Sequence, residues 1–246
     1  MKSFAVLVLA LASTQGASAA NDIPDARWNT SAELGAITTS GNTVGTSVTG
    51  KIDARQELAE WSDQFILSGY FKDDEHIVNG SRTSQRSAER YSVSAKAAYK
   101  LLQDGEKLFA LGSHLVDHFG AYTSYSSLAI GHSTRWYKSD DKSVEVEIGP
   151  GYFSGTRASG EAESGVTVRG AAAMKWQLSP QALITQTLSV ERGTSNVHSS
   201  AEAALSTKIN GTMQMKAAFV TRSDSNVPAD KKNTDTQTSL TLVYSF

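Results

Sequence analysis

Apolar and polar residues alternate one for one along most of this chain. From Val44 to Ala54 the even positions carry Val44, Thr46, Val48, Gly50, Ile52 and Ala54. The odd positions carry Gly45, Ser47, Thr49, Lys51 and Asp53, and Arg55 continues that series. Neighbouring side chains of a strand point to opposite faces, so this segment reads as a strand with one apolar and one polar side. A helix would put Lys51 and Arg55 in the same stripe as Val44, Val48 and Ile52, so the helical reading is the weaker one.

The alternation recurs to the end of the chain. Trp61, Phe65, Leu67 and Phe71 share a face, as do Tyr91, Val93, Ala95 and Tyr99, with Arg90 and Lys96 opposite. Val144, Val146 and Ile148 oppose Glu145 and Glu147, and Val166, Val168 and Met174 oppose Arg169 and Lys175. Leu188 and Val190 oppose Glu191, Leu205 and Ile209 oppose Glu202 and Lys208, and Met215 and Phe219 oppose Lys216 and Arg222. The spacing predicts about twelve strands, at 28–39, 43–56, 61–71, 88–102, 107–119, 125–137, 143–153, 164–178, 182–192, 198–209, 212–222 and 234–246. Most are near the 9–11 residues that a tilted membrane strand needs, against about 5–6 for an ordinary strand.

Connection lengths add to this. Every second connection is short, and Asp104-Gly105 and Asn210-Gly211 are strong hairpin turns. The others read as longer and polar, above all 72–87, 154–163 and 223–233. Short turns on one rim and longer loops on the other characterise outer-membrane barrels. Trp28, Trp61, Trp136 and Trp176 all fall at the short-turn ends on the apolar face, where amphipathic rings collect at a membrane interface, and Tyr244 joins them. Phe71, Phe119, Tyr122, Tyr125 and Tyr152 are candidates for the opposite girdle. The fold expected is an up-and-down antiparallel transmembrane β-barrel. The alternative is a soluble periplasmic β-protein.

The first residues place the chain in the export pathway. Lys2 precedes an apolar run from Phe4 to Ala12, and Ala17-Ser18-Ala19 supplies a cleavage site. Residues 1–20 therefore read as a signal peptide and 21–246 as one barrel domain. The chain has no Cys, so disulfides contribute nothing. Removing Lys2 leaves 22 basic residues, 23 less one, against 25 acidic ones. That balance gives no reason to invoke nucleic acid.

No chemistry-bearing motif stands out. In a closed barrel Lys51, Asp53, Arg55, Arg90, Lys96, Glu145, Glu147, Arg169, Lys175, Glu191, Glu202, Lys208, Lys216 and Arg222 point into the lumen, where mixed signs either plug it or line a narrow pore. They form no single-sign ring, so no ion selectivity follows. His132-Ser133 point to opposite faces and make no dyad; His114 and His118 have no evident nucleophile beside them; no G-x-S-x-G elbow is present. No metal site or cofactor is expected. A structural barrel or narrow channel leads; a rim hydrolase and a receptor or adhesin using the longer loops are the alternatives.

Trp28, Glu33-Leu34-Gly35 and Ser40-Gly41-Asn42-Thr43, then Gly149-Pro150-Gly151-Tyr152 and the ending Leu240-x-Leu242-x-Tyr244-x-Phe246, resemble an uncharacterised bacterial outer-membrane family labelled salt-induced outer membrane protein. The likeness spans nearly the whole mature chain. It implies outer-membrane lipid as surroundings, a link to salt or envelope stress, and recognition of the C-terminal strand and Phe246 by the barrel assembly machinery. It supplies no reaction, ligand or catalytic residue.

Overall fold

The computed structural model describes residues 27–39, 44–78, 81–227 and 232–246. The signal-peptide segment 1–20, the Ser40–Thr43 motif and Asn79-Gly80 lie outside them. Twelve antiparallel strands form a closed barrel in which each strand pairs with its neighbours in sequence and the first closes on the last. The strands are β1 (Trp28–Thr39), β2 (Val44–Glu57), β3 (Trp61–Val78), β4 (Ser81–Lys100), β5 (Glu106–Asp117), β6 (Tyr122–Lys138), β7 (Lys142–Arg157), β8 (Ala162–Ser179), β9 (Ala182–Arg192), β10 (Val197–Lys208), β11 (Met213–Asp224) and β12 (Thr234–Ser245).

Closure and alternation together give the barrel its inverted polarity. Leu34, Val48, Ile52, Phe65, Leu67, Val93, Leu128, Ile130, Ile148, Val166, Leu188 and Leu240 stand exposed on the outside. The registers carry the opposite parity inward: Glu33 lies beside Lys51 and Ser31 beside Asp53, and Asp53 lies beside Ile66 in turn. Two small apolar clusters also face inward, Ala98, Phe109 and Ala129 in one, Tyr122, Tyr125 and Phe153 in the other.

The connections at 58–60, 101–105, 139–141, 180–181 and 209–212 lie on one rim, here the turn rim, with Trp28 and Ser245. Gly105 has φ +84°, the left-handed conformation its turn requires. The opposite, loop rim differs from the expectation. Residues 72–87 are not a loop: β3 runs on to Val78 and β4 starts at Ser81. Likewise, strand replaces most of 154–163, because β7 extends to Arg157 and β8 begins at Ala162. The added length is legible only in cross-strand pairing. Asp73 sits opposite Arg86 past a bulge at Lys72/Asp73, and Arg86 bonds both Asp73 and Glu89. Residues 72–75 and 83–87 are polar on both faces, so they give no apolar periodicity to read.

The β6–β7 ladder explains Gly149-Pro150. Pairing stops after Ala129↔Gly151 and resumes at His132↔Ile148. Pro150 has no N–H to donate in that gap. Gly131 and Gly149 let the two backbones close: a Cβ at Gly149 would stand 2.0 Å from the Ile130 carbonyl oxygen, and one at Gly131 2.3 Å from that of Ile148. The β1–β12 seam is the shortest ladder, Ser31–Leu34 against Leu242–Ser245. Thr30 and Phe246 extend it by two backbone bonds, 3.3 and 3.0 Å.

Candidate functional site: the barrel lumen

Alternation delivers a charged residue to the interior from nearly every strand, and closure then brings distant ones together. Towards the turn rim, Asp53 accepts two hydrogen bonds from Arg55, 2.9 and 2.8 Å, and one from Gln64 at 3.1 Å. Glu145 on the facing wall accepts from the Ser133 hydroxyl at 2.7 Å and lies 3.9 Å from Lys107. Lys175 and Lys208 occupy inward positions opposite Thr185 and Gln214. One layer higher, Lys96 of β4 bonds Glu147 of β7, reaching past two intervening strands. Lys96 also lies over the Phe109 ring, 5.2 Å from its centroid. This chord and the Phe109 cluster narrow the lumen.

Above the chord, towards the loop rim, the lumen opens into a cavity of about 370 Å³. Its wall is hydroxyls and charges. Lys216 bonds Glu202 at 2.9 Å and reaches over β12 to Glu33 at 3.2 Å; Lys51 lies 3.8 Å from the same Glu33. Arg169 donates to Glu191 at 2.8 Å, and Glu191 also accepts the Tyr125 hydroxyl at 3.1 Å. Arg90 is held by Asp117, and Arg222 lines the same cavity. At the loop rim, Tyr125 stacks on Phe153 and on His198, with centroids 5.4 and 5.5 Å apart, and His198 Nδ1 lies 2.9 Å from Asp224.

Tyr122 and Tyr125 therefore do not belong to an outer girdle. They are 5% and 8% exposed, inside the barrel. Tyr125 shares the parity of Arg135, opposite to Leu128 and Ile130, and the bulge at Tyr122/Ser124 turns Tyr122 inward as well. On the outside, Phe71 packs edge-on against Tyr91 at 5.2 Å under Arg86, and Tyr152 is half-exposed. The opposite belt is fuller. Trp28 packs on Phe65, Trp61 on Tyr99 and Tyr244 on Phe246, with Trp136 exposed beside them. Trp176 donates its indole N–H to Asp141 at 3.2 Å and carries Lys142 over its ring. The Ser139 hydroxyl, with help from Lys142 and Trp176, holds the Asp141 carboxyl below the usual carboxylate range. On β3, ten residues separate Trp61 from Phe71. That is roughly 33 Å along the strand and about 25 Å along the axis of a barrel whose strands tilt 35–45°.

Two pairs bear on chemistry. His132 bonds Glu106, whereas Ser133 bonds Glu145 on the inner side, so the adjacent residues are divided between faces. His114 Nδ1 lies 2.8 Å from Ser126 Oγ, a cross-strand neighbour. Sequence reading missed this pair because register, not spacing, creates it. Among the described residues no carboxylate is bonded to His114, so the orienting third group of an activated serine is missing. Among the described residues no three His, Asp or Glu side chains are grouped to hold a metal ion.

Residues 32–246 match the family described as "Protein of unknown function, DUF481". The chain belongs to this family. It is 27% identical over 213 residues to the uncharacterized protein YdiY of Escherichia coli (strain K12), covering 86% of this chain and 81% of that protein. Among solved structures, this family member's barrel is similar to an outer membrane channel from Pseudomonas putida F1, with a TM-score of 0.54, 11% identity and coverage of 92% of this chain and 100% of that one. It is also similar to the NanC porin, at 0.52 and 9%, covering 89% and 99%. At these identities the likeness is one of fold.

Proposed function

We propose that the protein is a barrel of the Gram-negative outer membrane, exported with residues 1–20 removed as a signal peptide, whose lumen forms a narrow channel for ions or small hydrophilic solutes. The observation that carries this is the pairing of a hydroxyl- and charge-lined cavity inside the barrel with an apolar outer surface bounded by two aromatic belts. The distance between those belts, about 25 Å, matches the apolar band of outer-membrane barrels. Lipid covers the band, with Trp28, Trp61, Trp136, Trp176 and Tyr244 at the periplasmic interface. Two proteins of similar fold are themselves named a porin and an outer membrane channel. The barrel assembly machinery receives the C-terminal strand, whose Phe246 extends the closing seam. This reading assigns no reaction, and the family resemblance adds a role in salt or envelope stress.

The chord between Lys96 and Glu147 and the buried Tyr125–Phe153 stack favour a second reading, a plugged structural barrel. Single-channel recording separates the two. Refolded protein in planar bilayers is expected to give discrete steps that grow with salt concentration. Silent bilayers from protein that still shows heat-modifiable migration on gels would contradict the channel and favour the plug.

A further inference from the structure

Five lysines and arginines line the cavity, and four of them close ion pairs. Lys51 and Lys216 share Glu33 and Glu202, Arg169 holds Glu191, and Arg90 is held by Asp117. Arg222 is left over. Its cross-strand neighbour in the register is Asp235. That carboxylate is 60% exposed and its ion pair within 4 Å is with Arg90, at 3.7 Å. Among the described residues no hydrogen bond or ion pair closes on the Arg222 guanidinium, although it lines the cavity wall. The charged groups acting on it are Arg90, Asp117, Glu202 and Asp235.

Arg169 Nε is buried with no hydrogen-bond partner, the one such side-chain atom among the described residues. That atom is closed to solvent, so the donors offered to an entering solute are those of Arg222. The rest of the wall adds the hydroxyls of Ser92, Ser113, Ser127 and Ser189, which accept or donate as required. A guanidinium offers five N–H donors in a flat fork that matches the oxygens of a carboxylate or phosphate. Between the low-dielectric walls of a confined lumen, the field of an arginine that closes no ion pair is focused on whatever enters.

We infer that the loop-rim half of the lumen is a binding site for a small oxyanion, a carboxylate or phosphate group, gripped by Arg222. The inference deepens the channel reading and rests on it for its transport meaning: solutes bearing such a group are the ones the lumen selects.

The test has two arms, so that its failure is distinct from failure of the channel reading. Refolded protein in detergent is titrated calorimetrically with inorganic phosphate and with glucuronate, and the tighter of the two identifies which oxyanion the site prefers. Saturable binding in about the millimolar range is expected, weakened about tenfold by Arg222→Gln and retained by Arg222→Lys. Lys208→Gln, a charge removed at the turn rim, leaves binding unchanged. In bilayers, the zero-current potential across a potassium chloride gradient is expected to show preference for chloride, lost in Arg222→Gln and kept in Arg222→Lys. Binding dependent on Arg222 in a silent barrel would uphold the site and overturn the channel. A conducting barrel that binds neither probe, or whose selectivity ignores Arg222→Gln, would overturn the site and leave the channel standing.

Discussion

Lys216 is the residue on which the interior electrostatics turn. Its side chain is 12% exposed and ties Glu202 on β10 to Glu33 on β1 across β12. Burying a charge is costly unless it is paired, and removing one partner leaves the other uncompensated. Lys216→Met leaves Glu33 to the more distant Lys51 and strips Glu202 of its cation. The expected loss is about 1–3 kcal/mol, below that of a fully dry pair because the cavity admits water. It is read as a lower urea midpoint in a gel-shift unfolding series, and an unchanged midpoint would refute the role. Parity alone assigns Lys216 and Glu33 to the interior, but nothing in the sequence joins residues so far apart. Their 3.2 Å contact needs barrel closure. The same holds for Lys96 with Glu147 and His114 with Ser126. Tyr125 shows the reverse case, an aromatic at a strand end whose parity with Arg135 outweighs its position.

Strands are most legible where an apolar outer face alternates with a polar inner one. β1 and β9 have the ends the alternation gives, and several other strands differ by one or two residues. The alternation does not extend to the ends of β3 and β4, which run well past the girdle of Phe71 and Tyr91. There, residues 72–75 and 83–87 are polar on both faces and pairing is held by charges such as Asp73 and Arg86, so period-2 contrast vanishes while the ladder continues. Glycine signals were legible as motif but not as mechanism. Gly149-Pro150 marks a stretch where β6 and β7 give up ladder pairing and approach closely. Gly149→Ala puts a methyl group into the Ile130 carbonyl, with backbone on both sides and no flexible side chain to yield. A loss of about 2–3 kcal/mol is expected. The measurement is the temperature at which the heat-modifiable band is lost. Wild-type behaviour of this variant would mean that the close approach is not a fixed feature of the wall.

At the scale of the whole molecule, twelve amphipathic strands cannot bury their apolar faces against one another once they close around a polar interior. The apolar faces are left outside, and lipid is the solvent that suits them; closure also pairs the edge strands that lipid would leave unsatisfied. The cavity, its arginine without an ion pair and the Lys96–Glu147 chord exist only at this scale, so their ingredients are legible in the sequence and their arrangement is not. The proposed placement puts water on one face of each strand and lipid on the other. The chain has no cysteine, so single cysteines can be introduced one at a time along β2 at Val48, Thr49, Lys51 and Ile52. The protein is then reconstituted in vesicles and exposed to a small hydrophilic thiol reagent. Labelling is predicted at Thr49→Cys and Lys51→Cys, with protection at Val48→Cys and Ile52→Cys. Equal labelling at all four positions, or strong labelling of the Val48 and Ile52 variants alone, would contradict the account.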